Sequence, residues 1–260
     1  MQSSDMHDPK PGEPVRHYSS LLITRDDRSP AIDPVMVEET IQLIVNGAKL
    51  SSIVTTPHLH KELAVGHMVT EGALKNLNDI EEIGEKDGCV SLTIRSFPRL
   101  DLRYELRTSG STGIDWDTRD DERFLPVRQT FRTEVLLDSV KNLYDDTQNR
   151  TGGAHSASLV DTHGTLRYKA IDIGRHNAID KVVGMAFLNG DDLSRMFLVS
   201  SGRQPAGMVM KAVRAGIPLI ISKAAPISSG IDCALRANIT LCCYATREKC
   251  KAFSAPERIV

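Results

Sequence analysis

The sequence lacks long apolar runs and a cysteine framework, and each absence excludes a class of protein. No segment approaches the ~20 apolar residues that span a bilayer, and the polar N-terminus lacks the apolar core of a signal peptide. The five cysteines are an odd number without framework spacing, which indicates reduced thiols. We therefore expect a cytoplasmic protein that does not enter a membrane.

An excess of positive charge is also absent. The formal net charge of -2 at pH 7 argues against broad electrostatic capture of nucleic acid, although it allows a local basic pocket. Hydrophobic residues make up 40% and charged residues 25% of the 260 positions, which is ordinary for a globular protein with a buried core. This length suits one large domain or two moderate ones. We expect no nucleic-acid partner.

The N-terminal half has the pattern of a small α+β domain. Residues 1–18 are predicted to be a flexible tail and residues 19–124 a domain that ends in a Gly-, Ser- and Asp-rich exposed loop over 108–124. The lone tryptophan, Trp116, lies in this loop as either a docking contact or a surface anchor. The expected elements are a hairpin turned at Asn46-Gly47, a helix over 58–74 and strands over 88–96 and 101–108.

From residue 125 to residue 260 the pattern indicates an α/β domain. A helix over 132–150 should stop at the glycines that follow it, and a hairpin should pair 155–161 with 165–172. Short apolar strands then alternate with amphipathic helices, which predicts a largely parallel sheet covered on its faces. The helices are expected over 176–188, 205–216 and 229–238, and the strands over 196–201, 218–222 and 240–246.

Three turns between a strand and a helix carry many polar residues. They read IDIGRHNAIDK, SSGRQPAG and ISKAAPISSG. In an open α/β sheet such turns gather beyond the carboxyl ends of the strands, where helix N-termini present unpaired N–H groups. Together with Arg175, Arg203 and Lys223, they predict a site for an anionic, nucleotide-like ligand. Each turn alone could be structural, with Asp172 as a helix cap.

The helix after Gly174 has an apolar stripe that orients its polar residues. The buried face should comprise Ile179, Val182, Val183, Ala186 and Phe187. This orientation leaves Asn177, Asp180 and Lys181 on another face, with Arg175 and His176 in the first turn. His176 lies one turn from Asp180 and titrates near neutrality. His155, in TGGAHSA, could be either a buried, hydrogen-bonded histidine or a catalytic one.

Together these segments resemble the formate dehydrogenase accessory sulfurtransferase family, FdhD. The likeness covers about residues 35–260 and includes TTPHLHKELAVGHMVTEGAL upstream of the three turns. It implies a cytidine deaminase-like three-layer C-terminal domain, a smaller N-terminal α+β domain and a homodimer. It also implies transfer of sulfur from a cysteine desulfurase to the bis-molybdopterin guanine dinucleotide cofactor of formate dehydrogenase.

The predicted cofactor-binding set combines the turns with a stretch that the resemblance places near the C-terminus. Its members are Gly152, Gly153, His155, Arg175, His176, Asn177, Asp180, Lys181, Gly202, Arg203, Lys223, Tyr244, Ala245, Thr246, Arg247, Glu248 and Lys249.

The loop after the N-terminal sheet lacks the Cys-x-x-Cys motif in which members of the family form a persulfide. It reads RTSGSTGIDWD, and the positional equivalents of the two cysteines are Ser111 and Ile114. Serine cannot hold a persulfide, so Ser111 should be inactive. A sulfur-carrying thiol would have to come from Cys89, Cys233, Cys242, Cys243 or Cys250. Cys250 adjoins the cofactor stretch, and Lys249 and Lys251 could lower its pKa; alternatively, it is an incidental surface cysteine.

Two other functions remain open. The chain could be a non-catalytic chaperone for the cofactor or for guanine nucleotides, or a regulatory paralogue, that has lost the persulfide cysteine. A zinc-dependent deaminase would need His-x-Glu and Pro-Cys-x-x-Cys. His155 is instead followed by Ser156 and Ala157, and the sequence contains no Pro-Cys-x-x-Cys, so we expect no zinc.

Overall fold

The computed structural model describes residues 12–95, 103–106, 112–115 and 123–260, with the two short segments described by their backbone alone. Ser111 and Trp116 lie outside the described residues. Within the described part, no helix is both long and apolar enough to cross a bilayer.

In its described residues, the N-terminal region contains two separate hairpins, a four-stranded sheet and one α-helix. Strands β1 and β2 form an antiparallel hairpin, and the four-stranded sheet has the order β4-β3-β6-β5. Strands β7 and β8 pair with each other. The elements are β1 Val15–Ile23, β2 Arg28–Met36, β3 Glu39–Val45, β4 Ala48–Thr55, α1 His60–Thr70, β5 Ile80–Lys86, β6 Cys89–Ile94, β7 Arg103–Leu106 and β8 Thr112–Asp115.

The structure confirms the predicted turn between β3 and β4. Asn46 and Gly47 both have positive φ, at 49° and 80°, which is the conformation of a two-residue hairpin turn that follows the twist of its strands. Two predicted segment boundaries in this region were wrong. Strand β1 begins at Val15, inside the segment predicted as a tail, and β8 lies inside the predicted loop.

The C-terminal region is a six-stranded sheet in the order β10-β9-β11-β12-β13-β14. The predicted largely parallel sheet is a mixed one, because only β11, β12 and β13 run parallel and the outer strands pair antiparallel. The elements are α2 Thr133–Ser139, α3 Asp146–Thr151, β9 His155–Asp161, β10 Leu166–Asp172, α4 Arg175–Leu188, β11 Met196–Ser200, α5 Ala206–Ala215, β12 Leu219–Ser222, α6 Ser228–Ala237, β13 Thr240–Cys243 and β14 Lys251–Ser254.

Helices cover both faces of this sheet. The larger core packs one face against α4, α5 and α6 and continues into the N-terminal sheet and α1. The smaller core, on the other face, packs Phe131 and Leu136 against Phe197. The predicted helix over 132–150 is interrupted by a 3-10 turn and an extended stretch. Asp145 is the N-cap of a separate helix, α3, and accepts a hydrogen bond from the Thr147 N–H at 3.0 Å. It ends, as predicted, at a left-handed Gly152.

A close helix crossing joins the two regions. Helix α1 packs across α4, and each helix contributes a glycine to the contact. A Cβ atom on Gly66 would lie 1.7 Å from the Asp180 carbonyl oxygen, and one on Gly184 would lie 1.8 Å from that of Glu62. Only glycine therefore allows the two backbones to approach this closely. The crossing buries the polar side of α4 as well as its apolar side.

Candidate functional site

The topology brings the predicted turns to one edge of the C-terminal sheet. Strands β11, β12 and β13 are parallel, so their carboxyl ends lie together, and antiparallel β9 starts at the same edge. Backbone hydrogen bonds tie the turns to one another. The Lys223 N–H donates to the Ser200 carbonyl at 3.2 Å, and the Tyr244 N–H donates to the Ala224 carbonyl at 3.1 Å. This convergence was predicted from the strand–turn–helix pattern.

Three cations surround His155 at this edge. Burial lowers the pKa of His155, and the nearby charges of Arg175, Lys223 and Arg203 lower it further, against an opposing effect of Asp172. Burial also lowers the pKa of Arg175, with Arg203 as the second cause. Because like charges crowd together here, the edge is electropositive and His155 is neutral at pH 7.

Arg175 is held in place by packing. Gly202 lies against it so closely that a Cβ atom there would be 3.0 Å from the Cβ and Cδ atoms of Arg175. The Nε atom of Arg175 is buried and has no hydrogen-bond partner among the described residues. Arg203 and Lys223 are exposed. A packed guanidinium whose Nε has no hydrogen-bond partner among the described residues, beside two exposed cations, is an arrangement that suits an anion.

Small polar side chains that the sequence analysis missed fix the shape of these turns. Ser201 Oγ accepts a hydrogen bond from the Ser156 N–H at 2.9 Å and lies 3.2 Å from His155 Nδ1. Ser222 Oγ and Gln204 Nε2 both donate to the Gly202 carbonyl at 2.8 Å. The one signal available in the sequence was the placement of serines at strand ends.

Asn177 and Lys181 do not face this site. Both contact Asp172 at the junction with the N-terminal region, with Lys181 Nζ 2.7 Å from its carboxylate. Thr55 and Thr56 donate to the same carboxylate, at 2.5 and 3.1 Å. Burial alone would raise the pKa of Asp172, but Lys181 and the hydrogen bonds outweigh it and hold the pKa below its ordinary value. Lys181 is 0% exposed, so a ligand cannot reach its ammonium group in this structure.

Asp180 belongs to a second buried ion pair. Both of its oxygens lie 2.9 Å from Lys211 Nζ, and Thr70 Oγ1 donates to it at 2.6 Å. Lys211 also pairs with Glu71 at 3.0 Å. We expected Asp180 and Lys181 on a face open to the ligand, but α1 covers that face. His176 is also buried, near the first turn of α5, where a Cβ atom on Gly207 would lie 3.9 Å from its Nε2.

The C-terminal stretch forms a compact turn at the same edge as the cations. Tyr244 has a left-handed backbone, with φ of 54°, and Thr246 Oγ1 accepts from the N–H groups of Glu248 and Lys249 at 3.2 Å. Arg247 is exposed. Ala245 is 4% exposed and its N–H already donates to the Ser222 carbonyl, so this N–H is not available to a ligand.

The two remaining predicted residues precede β9. Gly152 is exposed at the end of α3, and Gly153 is exposed next to Met36 of β2, whose Cγ would be 3.0 Å from a Cβ atom at this position. The structure thus groups His155, Arg175, Gly202, Arg203 and Lys223, with the C-terminal turn beside them.

Comparison with known proteins agrees with this architecture. A sequence model described as the FdhD/NarQ family matches residues 36–260. The chain belongs to the FdhD/NarQ family. The resemblance found in the sequence motifs is therefore confirmed.

Relatives from distant organisms are similar over most of their length. The sulfur carrier protein FdhD of Methanothermobacter thermautotrophicus is 31% identical over 249 residues, which cover 90% of this chain and 95% of the relative. Those of Thermoplasma acidophilum and Bacillus subtilis are 32% and 31% identical, covering 88% and 87% of this chain and 88% and 90% of the relatives.

A solved structure has the same fold. It is the crystal structure of a proposed formate dehydrogenase accessory protein from Desulfotalea psychrophila, with a TM-score of 0.81 and 25% sequence identity. The match covers 95% of this chain and 100% of the other. It supports an α+β architecture of mixed sheets and helices throughout the FdhD/NarQ chain.

All five cysteines of this FdhD/NarQ chain are free thiols. Cys233, Cys242 and Cys243 are buried, whereas Cys89 and Cys250 are half-buried. A hydrogen bond from Cys242 lowers the pKa of Cys250 to about 7, against an opposing effect of burial. The cause is thus a second thiol and not the flanking lysines that the sequence suggested. Within the described part of the chain, no three His, Cys, Asp or Glu side chains form a group that could hold a metal ion.

Proposed function

We propose that the protein is a formate dehydrogenase accessory factor that binds the bis-molybdopterin guanine dinucleotide cofactor and carries sulfur to it from a cysteine desulfurase. The observation that carries the proposal is the gathering of Arg175, Arg203 and Lys223 around His155, since the phosphates of such a cofactor need fixed cations. The relatives are named sulfur carrier protein FdhD, which supports the sulfur-carrying part of the proposal.

The residues at the edge fit a phosphate-bearing ligand. Arg175 offers a planar fork of donors whose Nε has no hydrogen-bond partner in the described part of the chain. It stands at the start of α4, where backbone N–H groups and the helix dipole favour an anion. Arg203 and Lys223 add charge from the neighbouring turns. A neutral His155 can accept or donate a hydrogen bond without adding charge. The cofactor itself would supply the metal and its sulfur ligands.

We further propose that the protein acts as a cytoplasmic homodimer with a cytidine deaminase-like C-terminal domain. The six-stranded sheet between two helical layers supports the domain type. Exposed apolar side chains of the β1–β2 hairpin, among them Leu21, Ile23 and Ile32, support association through this hairpin. Sedimentation at micromolar concentration tests the dimer, and replacement of Ile32 by Ser should shift it toward the monomer.

Guanosine diphosphate is a practical probe of the cation site, because it contains the pyrophosphate of the cofactor. Replacing Arg203 by Ala should weaken its binding about tenfold or more, since a hydrogen bond to a charged group contributes about 1.5–3 kcal/mol. Titration calorimetry measures the dissociation constant. Arg236, exposed at the far end of α6, provides the matched control variant Arg236→Ala. Equal binding by wild type and Arg203→Ala would contradict the site.

A second candidate is a cofactor chaperone that carries no sulfur. It is favoured by one observation, the absence of cysteine between Cys89 and Cys233, where the family resemblance places the persulfide. Intact-mass measurement after incubation with a cysteine desulfurase and cysteine distinguishes the two candidates. Gain of a sulfur atom supports a carrier, whereas nucleotide binding without any gain supports the chaperone.

A further inference from the structure

A cavity of about 770 Å³ lies at the amino-terminal ends of β11 and β12. This volume is within the roughly 300–1,000 Å³ of sites that bind small molecules. Arg203 and Lys223 follow the carboxyl ends of the same two strands. Helix α5 begins just after Arg203 and ends at Gly216, which lines the cavity. The cavity is therefore separate from the proposed cofactor site.

Much of the cavity wall is apolar. Its buried apolar residues include Val69, Leu74, Leu125 and Leu193. Phe124 also lines the cavity, and its side chain is 62% exposed. An aromatic or aliphatic group placed here would be removed from water, which favours binding.

Two arginines without a carboxylate partner line the same cavity. Arg123 and Arg128 are exposed, and no carboxylate in the described part of the chain forms an ion pair with either of them. Arg123 Nη1 donates to the Arg214 carbonyl at 2.6 Å, which positions the guanidinium without neutralising its charge. Because a guanidinium offers paired donors that match a phosphate or a carboxylate, an anionic group fits beside these arginines.

The two carboxylates of the cavity wall already have other partners. Asp191 accepts a hydrogen bond from the Tyr168 hydroxyl at 2.5 Å and lies 3.6 Å from the Arg167 guanidinium. Asp192 accepts hydrogen bonds from the N–H and the hydroxyl of Ser194 at 3.0 and 2.6 Å. These contacts satisfy the carboxylates without using Arg123 or Arg128, whose charges are thus left for a ligand.

The segment 123–129, which carries both arginines, is held in place by the C-terminal region. The Leu125 N–H donates to the Ala237 carbonyl at 2.9 Å, and Arg258 Nη2 donates to the Leu125 carbonyl at 2.6 Å. Arg258 is 0% exposed and forms no ion pair with a carboxylate among the described residues, so it brings a further positive charge next to Leu125. A wall that is already formed and electropositive lowers the cost of binding an anion.

We propose that this cavity binds a small organic anion in which a phosphate or carboxylate group is attached to an aromatic or aliphatic body. The apolar wall receives the body, and Arg123 and Arg128 receive the anionic group. None of these residues belongs to the cation cluster around His155. The inference therefore goes beyond the proposed cofactor function and does not depend on it.

The probe is 1-naphthyl phosphate, which joins an aromatic body to a phosphate group. Titration calorimetry on the full-length protein should show binding about tenfold or more tighter than that of 1-naphthol or inorganic phosphate, because each of these lacks half of the recognised chemistry. A parallel titration with 1-naphthoate replaces the phosphate by a carboxylate, and binding of either anion supports the site. Excess guanosine diphosphate should leave the binding unchanged, since the cation cluster lies at the other edge of the sheet.

Arg128→Glu tests the anionic half of the site. It reverses the charge of an exposed side chain and should weaken binding of 1-naphthyl phosphate about tenfold or more. Arg236→Glu makes the same change at an exposed position of α6 and should bind like wild type. Phe124→Ser tests the apolar half and should weaken binding of 1-naphthol as well. Circular dichroism checks that each variant is folded.

Four results would overturn the inference. They are equal binding of 1-naphthol and 1-naphthyl phosphate, displacement of the probe by guanosine diphosphate, wild-type affinity in Arg128→Glu, and binding of neither naphthyl anion. The cofactor site is tested separately by guanosine diphosphate and Arg203→Ala, so a failure of one site is distinguishable from a failure of the other.

Discussion

Cations with two different roles occur between residues 181 and 223 of the C-terminal region. Lys181 and Lys211 are enclosed by helices and have carboxylates at 2.7 and 2.9 Å. Arg203 and Lys223 lie at the sheet edge, and among the described residues no carboxylate forms an ion pair with either of them. The comparison teaches that a charged side chain is available to a ligand only where the fold places no oppositely charged side chain beside it.

The buried pairs are expected to give the largest effect on stability. Lys211→Met keeps most of the side-chain volume but leaves the carboxylates of Asp180 and Glu71 buried without this cation. Removal of one partner of a buried ion pair typically costs about 3–5 kcal/mol. Urea unfolding followed by circular dichroism measures the change. Lys223→Ala is the control, and similar losses in both variants would remove the distinction between the two groups.

The helix crossing that buries these pairs should be the next most sensitive feature. Gly66→Ala places a Cβ atom against the Asp180 carbonyl, so α1 must move away from α4. Overpacking of this kind costs about 1–3 kcal/mol, sometimes more. Gly207→Ala is the matched control, because its Cβ atom would have its nearest neighbour at 3.9 Å. If the same unfolding assay showed Gly66→Ala to be as stable as wild type, the close approach of α1 to α4 would be contradicted.

Acid should weaken the buried pair of Asp172 and Lys181, and the resulting loss in the free energy of unfolding should be smaller than that of Lys211→Met or Gly66→Ala. The folded-state pKa of Asp172 lies below 3.8, because Lys181 and hydrogen bonds outweigh the effect of burial. The folded protein therefore binds fewer protons than the unfolded chain, and the pair contributes stability that is present above about pH 4 and lost as the pH falls through the folded-state pKa.

The measurement is the free energy of unfolding in urea between pH 3 and pH 7. Asp172→Asn should show a shallower loss toward low pH than wild type, whereas Asp232→Asn, on the exposed side of α6, should follow wild type. Parallel curves for wild type and Asp172→Asn would show that this carboxylate is not the titrating group.

The sequence predicted the strands and helices from β9 to β13 because their apolar periods are regular, and hence also the edge where Arg203 and Lys223 meet. It did not predict the break between α2 and α3 or the short strand β14. It did not predict β1 and β2, whose apolar side chains are mostly exposed and so leave no one-sided pattern. It also misjudged Asp180 and Lys181. Periodicity identifies the apolar face of α4 but cannot show that α1 and Thr56, more than a hundred residues earlier, cover the polar one.

The smallest expected change in stability is that of Arg203→Ala. Arg203 is exposed and lies near Arg175, whose pKa it lowers after the larger effect of burial, so its removal relieves repulsion between like charges. We expect a free energy of unfolding within about 0.5 kcal/mol of wild type, although nucleotide binding is weakened. Urea unfolding and titration calorimetry on one preparation measure both quantities. A loss of stability as large as that of Lys211→Met would mean that Arg203 supports the fold and that the edge cations were not left free for a ligand.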